Sequence, residues 1–328
     1  MPQDSATPFM ALVIHDAAAP SVGRCMSSAA SGMPLIAGPT VADTMGRLAG
    51  VCRLMVVGPD QLDEAVAVTK DYPNIRIAVL TPETTDRLIG TALRVPQIVG
   101  LLAWLPAGVR PWELSYITRR AVAPEQHTPP SSQMLLWGGS TVTWHPRTSE
   151  DRERAVRAVE LVATRFGITR RVAATAADAA HELLMNAMYD APIDSRGRRR
   201  YAGDRQASIA LEQGEVPTMQ LTVDSSHLAL DVSDPFGRLP RQKVFGGILR
   251  GRSGAQAPRW GTVIDDSEGG AGLGLFNLFH SSAVLRVEVA KGRHTLVSWM
   301  VDRAVPIRDR RTMARSLHFV ETQGATSG

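Results

Sequence analysis

The sequence predicts an α/β protein built from two domains, and three observations carry that prediction. Residues 9–123 alternate short apolar runs with amphipathic segments five times. A proline-rich stretch at 124–133 then interrupts the pattern. Residues 134–306 resume with mixed strand and helix signals around a glycine-rich loop. At 328 residues the chain is long enough for two domains with cores of their own.

In the first domain, strand signals fall at 10–14, 35–37, 54–57, 75–80 and 100–104. Helical signals fall at 22–30, 41–49, 62–71, 85–93 and 111–122. Five β-α units of this size imply a doubly wound parallel sheet. Their order resembles the flavodoxin-like receiver domain of response regulators. Receiver chemistry sits at the carboxyl ends of the strands, and this copy departs from it there. The acidic pair after the first strand reads His15-Asp16, and the phosphoacceptor place falls on Gly58, with Asp60 two residues late. The hydroxyl after the fourth strand is present as Thr81, but Leu105-Pro106 stands where the family has Lys-Pro. The resemblance therefore implies a degenerate receiver over 9–123 with no phosphoacceptor, serving protein docking or dimerisation. An α/β domain of another family is the alternative, because five short units are not distinctive.

Residues 124–133, with Pro124, Pro129 and Pro130, form a linker by composition. The second domain opens on a strand or hairpin at 134–144. Thr148 or Ser149 then caps a helix whose first turn holds Glu150 and Asp151 and which Gly167 ends. A second helix covers 170–189 and stops before Pro192. A basic loop at 192–206, strands at 219–223 and 228–232, a long flexible stretch at 246–269 and strands at 284–290 and 295–301 follow. The tail at 307–328 is polar, basic and expected to be flexible.

Three stretches of this domain carry chemistry. In 181–190, Glu182 and Asn186 share a helix face, with Asp178 one turn before and Asp190 one turn after. Alone, such a row reads as a solvated face; beside a phosphate chain it suits a divalent cation. The strand at 228–234 ends in Asp234-Pro235-Phe236-Gly237. Gly269-Gly270-Ala271-Gly272-Leu273-Gly274-Leu275 is a glycine-rich loop entering a helix, where backbone N–H groups favour phosphate.

In this order the three resemble the N, G1 and G2 boxes of the GHKL ATPase superfamily, over roughly 135–306 and nearest the anti-sigma-factor serine kinase branch. The resemblance implies a Bergerat-type α/β sandwich with a mixed sheet, binding ATP and Mg²⁺. It makes Glu182 the general base and Asn186 the Mg²⁺ ligand, with Asp190 near the nucleotide. Asp234 would accept from the adenine amine beside Gly237. Gly270, Gly272, Leu273, Gly274 and Leu275 would form the phosphate loop, and Thr295 would contact phosphate or an adenine-bound water. The stretch 246–269 would be the lid, with Lys243, Arg250 or Arg252 reaching the γ-phosphate. The G1 box departs from Asp-x-Gly-x-Gly, since Phe236 replaces the first glycine and Gly237 falls one place late.

Composition narrows the function classes. With 44% hydrophobic and 21% charged residues the chain is an ordinary globular one, and no apolar stretch is long enough to span a bilayer. The N-terminus has no basic region before its first apolar run, which predicts a cytoplasmic protein. Cys25 and Cys52 read as free thiols in a reducing compartment. The net charge of +4 gathers in short arginine clusters at 196–200, 250–252 and 308–311 without interleaved aromatics, so direct nucleic-acid binding is disfavoured. The expected partner is a protein, such as an anti-sigma or anti-anti-sigma factor, or a second copy of the chain. The expected function is a signalling regulator that binds Mg-ATP and phosphorylates or sequesters that partner, as a kinase or weak ATPase. Alternatives are a non-catalytic nucleotide-gated scaffold and a histidine-kinase module acting in trans.

Overall fold

The computed structural model describes residues 7–14, 19–30, 32–47, 50–106, 108–124, 129–134, 139–201, 203–256, 271–303, 305, 309 and 312–323. The chain divides into two compact units, residues 1–127 with 313–320 and residues 128–312 with 321–328. Among the described residues no helix is long and apolar enough to cross a membrane.

The first unit follows the predicted alternation: β1 (Pro8–Val13), α1 (Ala19–Ala29), β2 (Leu35–Ala37), α2 (Val41–Gly46), β3 (Val51–Val57), α3 (Leu62–Val68), β4 (Arg76–Thr81), α4 (Asp86–Arg94), β5 (Ile98–Ala103) and α5 (Pro111–Val122). The five strands are parallel in the order β2-β1-β3-β4-β5. Their near-continuous apolar runs match a sheet buried on both faces, and every residue of β5 is buried. Helices α1 and α5 pack on each other, and α5 lies on β3 and β5. Thr40 and Thr85 cap α2 and α4 by accepting from Asp43 and Leu88 N–H groups.

At the carboxyl end of β3 the Asp60 carboxylate lies over Gly58, where a Cβ would meet it. Thr81 ends β4, buried, with its hydroxyl donating to the Glu83 carbonyl at 2.6 Å. Leu105 closes a two-way backbone pair with Gly108, at 3.1 and 2.8 Å. His15 and Asp16 lie outside the described residues.

The second unit runs β6 (Ser140–Trp144), α6 (Ser149–Arg165), α7 (Arg170–Met185), β7 (Thr218–Val223), β8 (His227–Asp234), α8 (Arg241–Gln256), α9 (Ala271–Ser281), β9 (Val284–Ala290) and β10 (His294–Asp302). The strand order is β9-β10-β8-β7-β6. All four pairings among these strands are antiparallel, where the resemblance implied a mixed sheet. Thr148 begins α6 with a full capping box through Asp151. Helix α7 packs on α6, α9 and β8, and α9 packs on α8.

Four expectations change. The helix expected over 170–189 is α-helical only to Met185. Asn186–Asp190 is a π-turn, closed by the Ala191 N–H donating to the Asn186 carbonyl at 3.0 Å. The apolar period continues through such a turn, so spacing does not reveal it. The stretch at 246–269 is helical as far as Gln256, in α8, and 257–269 lies outside the described residues. Gly251 lets α8 approach α9, because a Cβ there would overlap Phe276. The linker at 124–133 ends in a short turn, Ser131–Gln133, that is docked in the second unit. Ser131 is fully buried, and its N–H and hydroxyl donate to Asp231 at 2.7 and 2.6 Å. Beside it the buried Arg286 donates to Ser298 Oγ at 3.1 and 2.8 Å and to the Pro129 carbonyl at 3.0 Å. A buried guanidinium is tolerable only with such partners.

The fourth change concerns the tail. Ser316–Thr322 is a strand, β11, antiparallel to β5 with Leu317 opposite Leu101 and His318 opposite Gly100. Its buried His318 bonds Glu113 of α5 at 2.8 Å, and Arg110 lies 3.3 Å from the same carboxylate. Burial pushes the Glu113 carboxyl up, but the His318 ring, Arg110 and Ser316 outweigh it and hold the group below the usual carboxylate range.

Candidate functional site

The site is built on one face of the antiparallel sheet. Strand alternation puts Val232 and Asp234 of β8 on the same face, and the register pairs them with Val297 and Thr295 of β10. The two cross-strand pairs form an apolar floor that ends in a carboxylate and a hydroxyl. Above it, Leu183 of α7 and Asn186, Ala187 and Asp190 of the π-turn form a wall, and Leu275 of α9 closes one side. The cavity is about 190 Å³, many times the ~10–15 Å³ that one water needs.

The widening from α to π register keeps Asn186 and Asp190 on the cavity side. Buried Tyr189 anchors the turn by donating to the Ala207 carbonyl at 3.0 Å and sharing a 2.9 Å bond with Ser149. The Asn186 amide nitrogen donates to Glu182 at 3.4 Å, which leaves its Oδ1 buried without a partner. Thr295 Oγ1 is likewise buried and unpartnered. Each open acceptor in a cavity marks a place for a ligand donor or cation.

Asp234 is 8% exposed, and its Oδ1 accepts from the Phe236 N–H at 2.9 Å. Burial pushes its carboxyl up from 3.8 to about 6, against the Phe236 N–H, the Thr295 hydroxyl and the Gly237 N–H. The Thr295 hydroxyl favours the ionised carboxylate by proximity but falls short of a formed hydrogen bond. Asp190 carries two cations: Arg205 and Lys243 each donate to its Oδ2 at 2.6 Å. Arg199 and Arg238 stand exposed at the rim. The cavity thus combines an apolar slot, an acceptor at its end and a basic mouth, a set that suits a flat heterocycle carrying negative charge.

The predicted site residues divide. Asn186, Asp190, Asp234, Leu275 and Thr295 come together in this cavity. Glu182 and Gly274 do not line it; they line a separate groove between α7 and α9. There the Glu182 carboxylate lies where a Cβ on Gly274 would be. Burial raises the Glu182 carboxyl, with Arg205 opposing and Asp190 adding to the effect. Gly272 and Gly274, expected in a loop, form the first turn of α9, whose leading N–H groups have no intrahelical partner. Leu273 is 48% exposed on α9, and Gly270 lies outside the described residues. Gly237 is away from the cavity lining. It turns the chain at φ +60°, against the backbone of Ala290, Gly292 and Arg293, where any side chain would overlap the Ala290 carbonyl.

Of the three cations expected near phosphate, Lys243 lines the cavity, while Arg250 and Arg252 of α8 do not. Phe236 is half-buried and also outside the lining, so it does not narrow the slot. Sequence reasoning missed the clamp on Asp190 by Arg205, and the period-two alternation of Val232 and Val297 with Asp234 and Thr295 was the available signal for the floor.

No protein-family model matches the chain, and no curated protein matches it. Among solved structures the chain is similar to the crystal structure of the SiaB-SiaC complex from Pseudomonas aeruginosa. That similarity has 12% sequence identity and a TM-score of 0.31, over 49% of this chain and 88% of the other.

Proposed function

We propose that residues 134–306 are a GHKL-type ATP-binding domain of Bergerat fold, acting on a protein partner in the manner of an anti-sigma serine kinase. One observation carries the reading. The cavity holds two buried oxygens without partners, Asn186 Oδ1 and Thr295 Oγ1, and a buried carboxylate, Asp234, at the end of an apolar slot. Asp234 suits the adenine amine, which donates where guanine presents a carbonyl. Asn186 Oδ1 is a hard, uncharged ligand suited to Mg²⁺, which when bound would neutralise phosphate charge. Lys243 at the mouth, and the N–H groups of the first turn of α9, suit the phosphates. Glu182, next to Asn186, is the base in this reading.

A titration of the full chain with ATP and GTP, with and without Mg²⁺, tests it. ATP should bind more tightly than GTP, and Mg²⁺ should strengthen the binding of ATP. Absence of binding at millimolar nucleotide in both conditions would end the reading. Transfer of labelled γ-phosphate to partner proteins then separates a serine kinase (stable phosphoserine) from a histidine kinase (acid-labile product) and from a nucleotide-gated scaffold, which gives none.

For the first unit we propose a degenerate receiver-like docking module. The parallel order β2-β1-β3-β4-β5 is the flavodoxin-like one. Its phosphoacceptor chemistry lacks the lysine, with Leu105 held in the turn to Gly108. Acetyl phosphate should therefore leave Asp60 unmodified, and a mass increase of one phosphate mapped to Asp60 would refute the degenerate assignment.

A further inference from the structure

Two cations meet on Asp190, and they are mounted differently. Arg205 and Lys243 both donate to one oxygen, Oδ2, at 2.6 Å, and the Asp190 side chain is only 7% exposed. Arg205 sits in a turn where the Ala207 N–H donates to the Asp204 carbonyl at 3.3 Å and the Gln206 N–H to Asp204 Oδ1 at 3.0 Å. The Ala207 carbonyl accepts from Tyr189, which ties this turn to the π-turn that carries Asp190. Lys243 comes instead from the first turn of α8. Asp190 and Lys243 line the slot, whereas Arg205 is outside the lining.

Charge decides what this arrangement can do. A lone carboxylate in the slot would repel a phosphate chain, but one carboxylate with two cations leaves one net positive charge. Lys243 is the cation with a choice, because a flexible ammonium can turn from Asp190 to a phosphate oxygen. Without Arg205, that move would strand a buried carboxylate without a partner, which is costly. With Arg205 in place, Asp190 stays paired after Lys243 has left.

Resting on the ATP-site reading, we propose that Arg205 is a positioning residue for the phosphate end of the ligand: it holds Asp190 so that Lys243 is released to the phosphates. Arg205 acts through Asp190 and touches no phosphate itself. The Asp190–Lys243 bond, which joins the π-turn to α8, is then a contact that the phosphates replace. A ligand with the same base and sugar but no phosphate leaves that bond in place, so it does not sense Arg205.

The test titrates the full chain with adenosine and with a non-hydrolysable ATP analogue, both with Mg²⁺, in a double-mutant cycle. Arg205→Gln should weaken the analogue about tenfold or more, the worth of one charge-assisted hydrogen bond. Adenosine affinity should not change, because Arg205 is outside the slot lining. In an Asp190→Asn background the same Arg205→Gln change should have less than about a twofold effect, since Lys243 is no longer held by a carboxylate. An undiminished loss in that background would make Arg205 a direct phosphate contact. Equal loss for adenosine would make it a structural prop, and no loss for the analogue would leave it without a role. Each of these results overturns the proposal alone. If the wild type binds neither adenosine nor the analogue, the ATP-site reading fails and the proposal falls with it.

Discussion

Glu182→Gln is expected to leave ATP affinity nearly unchanged while lowering phosphoryl transfer or hydrolysis roughly 10²–10⁴-fold, the usual contribution of a positioned general base. The reasoning starts from geometry. Glu182 is outside the slot proposed for the nucleotide, so its charge is not a binding contact there. Gln keeps an oxygen that can accept from Asn186 Nδ2, so the orientation of Asn186 Oδ1 toward the cavity survives. What Gln cannot do is take a proton. The pH profile should show the same loss. Burial raises the Glu182 carboxyl, so the wild-type rate should climb as pH rises through that raised value, and the variant should lack the climb. Equal loss of affinity and turnover would instead make Glu182 a structural member of the α7–α9 contact.

How far the sequence disclosed this arrangement depended on what each signal measures. The parallel strands of the first unit were legible because burial on both faces forces continuous apolar runs, as in Leu54–Val57 and Ile98–Ala103. β11 was hidden by its neighbours. Arg308, Arg310 and Arg311 suggested a solvated tail, although Leu317, Phe319 and Val320 carry an ordinary strand signal. α8 was masked by Gly246, Gly247 and Gly251, poor helix formers that a sequence argument counts against a helix. Tertiary contact with Phe276 overrides that cost. In the site, Asn186, Asp234 and Thr295 were expected together from the order of motifs that resemble ATPase boxes, and the three line one cavity. The placing of Glu182 in a second groove was not legible, since helix periodicity says that 182 and 186 are neighbours and not which cavity each one lines. Nor was the Arg286–Asp231–Ser131 cluster, because a charge inside a strand pattern carries no sign of its partner 100 residues away.

Asp234→Asn should move stability and affinity in opposite directions. In the nucleotide-free protein the carboxyl titrates near 6 instead of 3.8, so the fold prefers its protonated form. The sign follows from linkage: below about pH 4 the group costs nothing, and the cost grows as pH rises toward 6. At pH 7 two pKa units amount to roughly 3 kcal/mol, an upper bound for what Asn recovers by having no charge to bury. For a unit of this size that is a rise of roughly 6–12 °C in melting temperature. The Phe236 N–H keeps an acceptor in the Asn oxygen, so the turn is preserved. ATP binding should suffer for the same reason that stability improves. The adenine amine would lose a charge-assisted hydrogen bond worth about 1.5–3 kcal/mol, or ten- to a hundredfold in affinity. Discrimination against GTP should shrink, because the repulsion between carboxylate and guanine carbonyl disappears with the charge. In the wild type, ATP affinity should rise with pH up to about 6 and then level off, since the amine needs the ionised form, and the variant should be flat. The rival account is that Asp234 only caps the Pro235-Phe236-Gly237 turn, a common role for Asp. It requires an unchanged ATP-to-GTP ratio and no gain in apo stability at pH 7. Two affinities and one melting curve on a single variant decide between the accounts, and an unchanged nucleotide preference would remove adenine from the site.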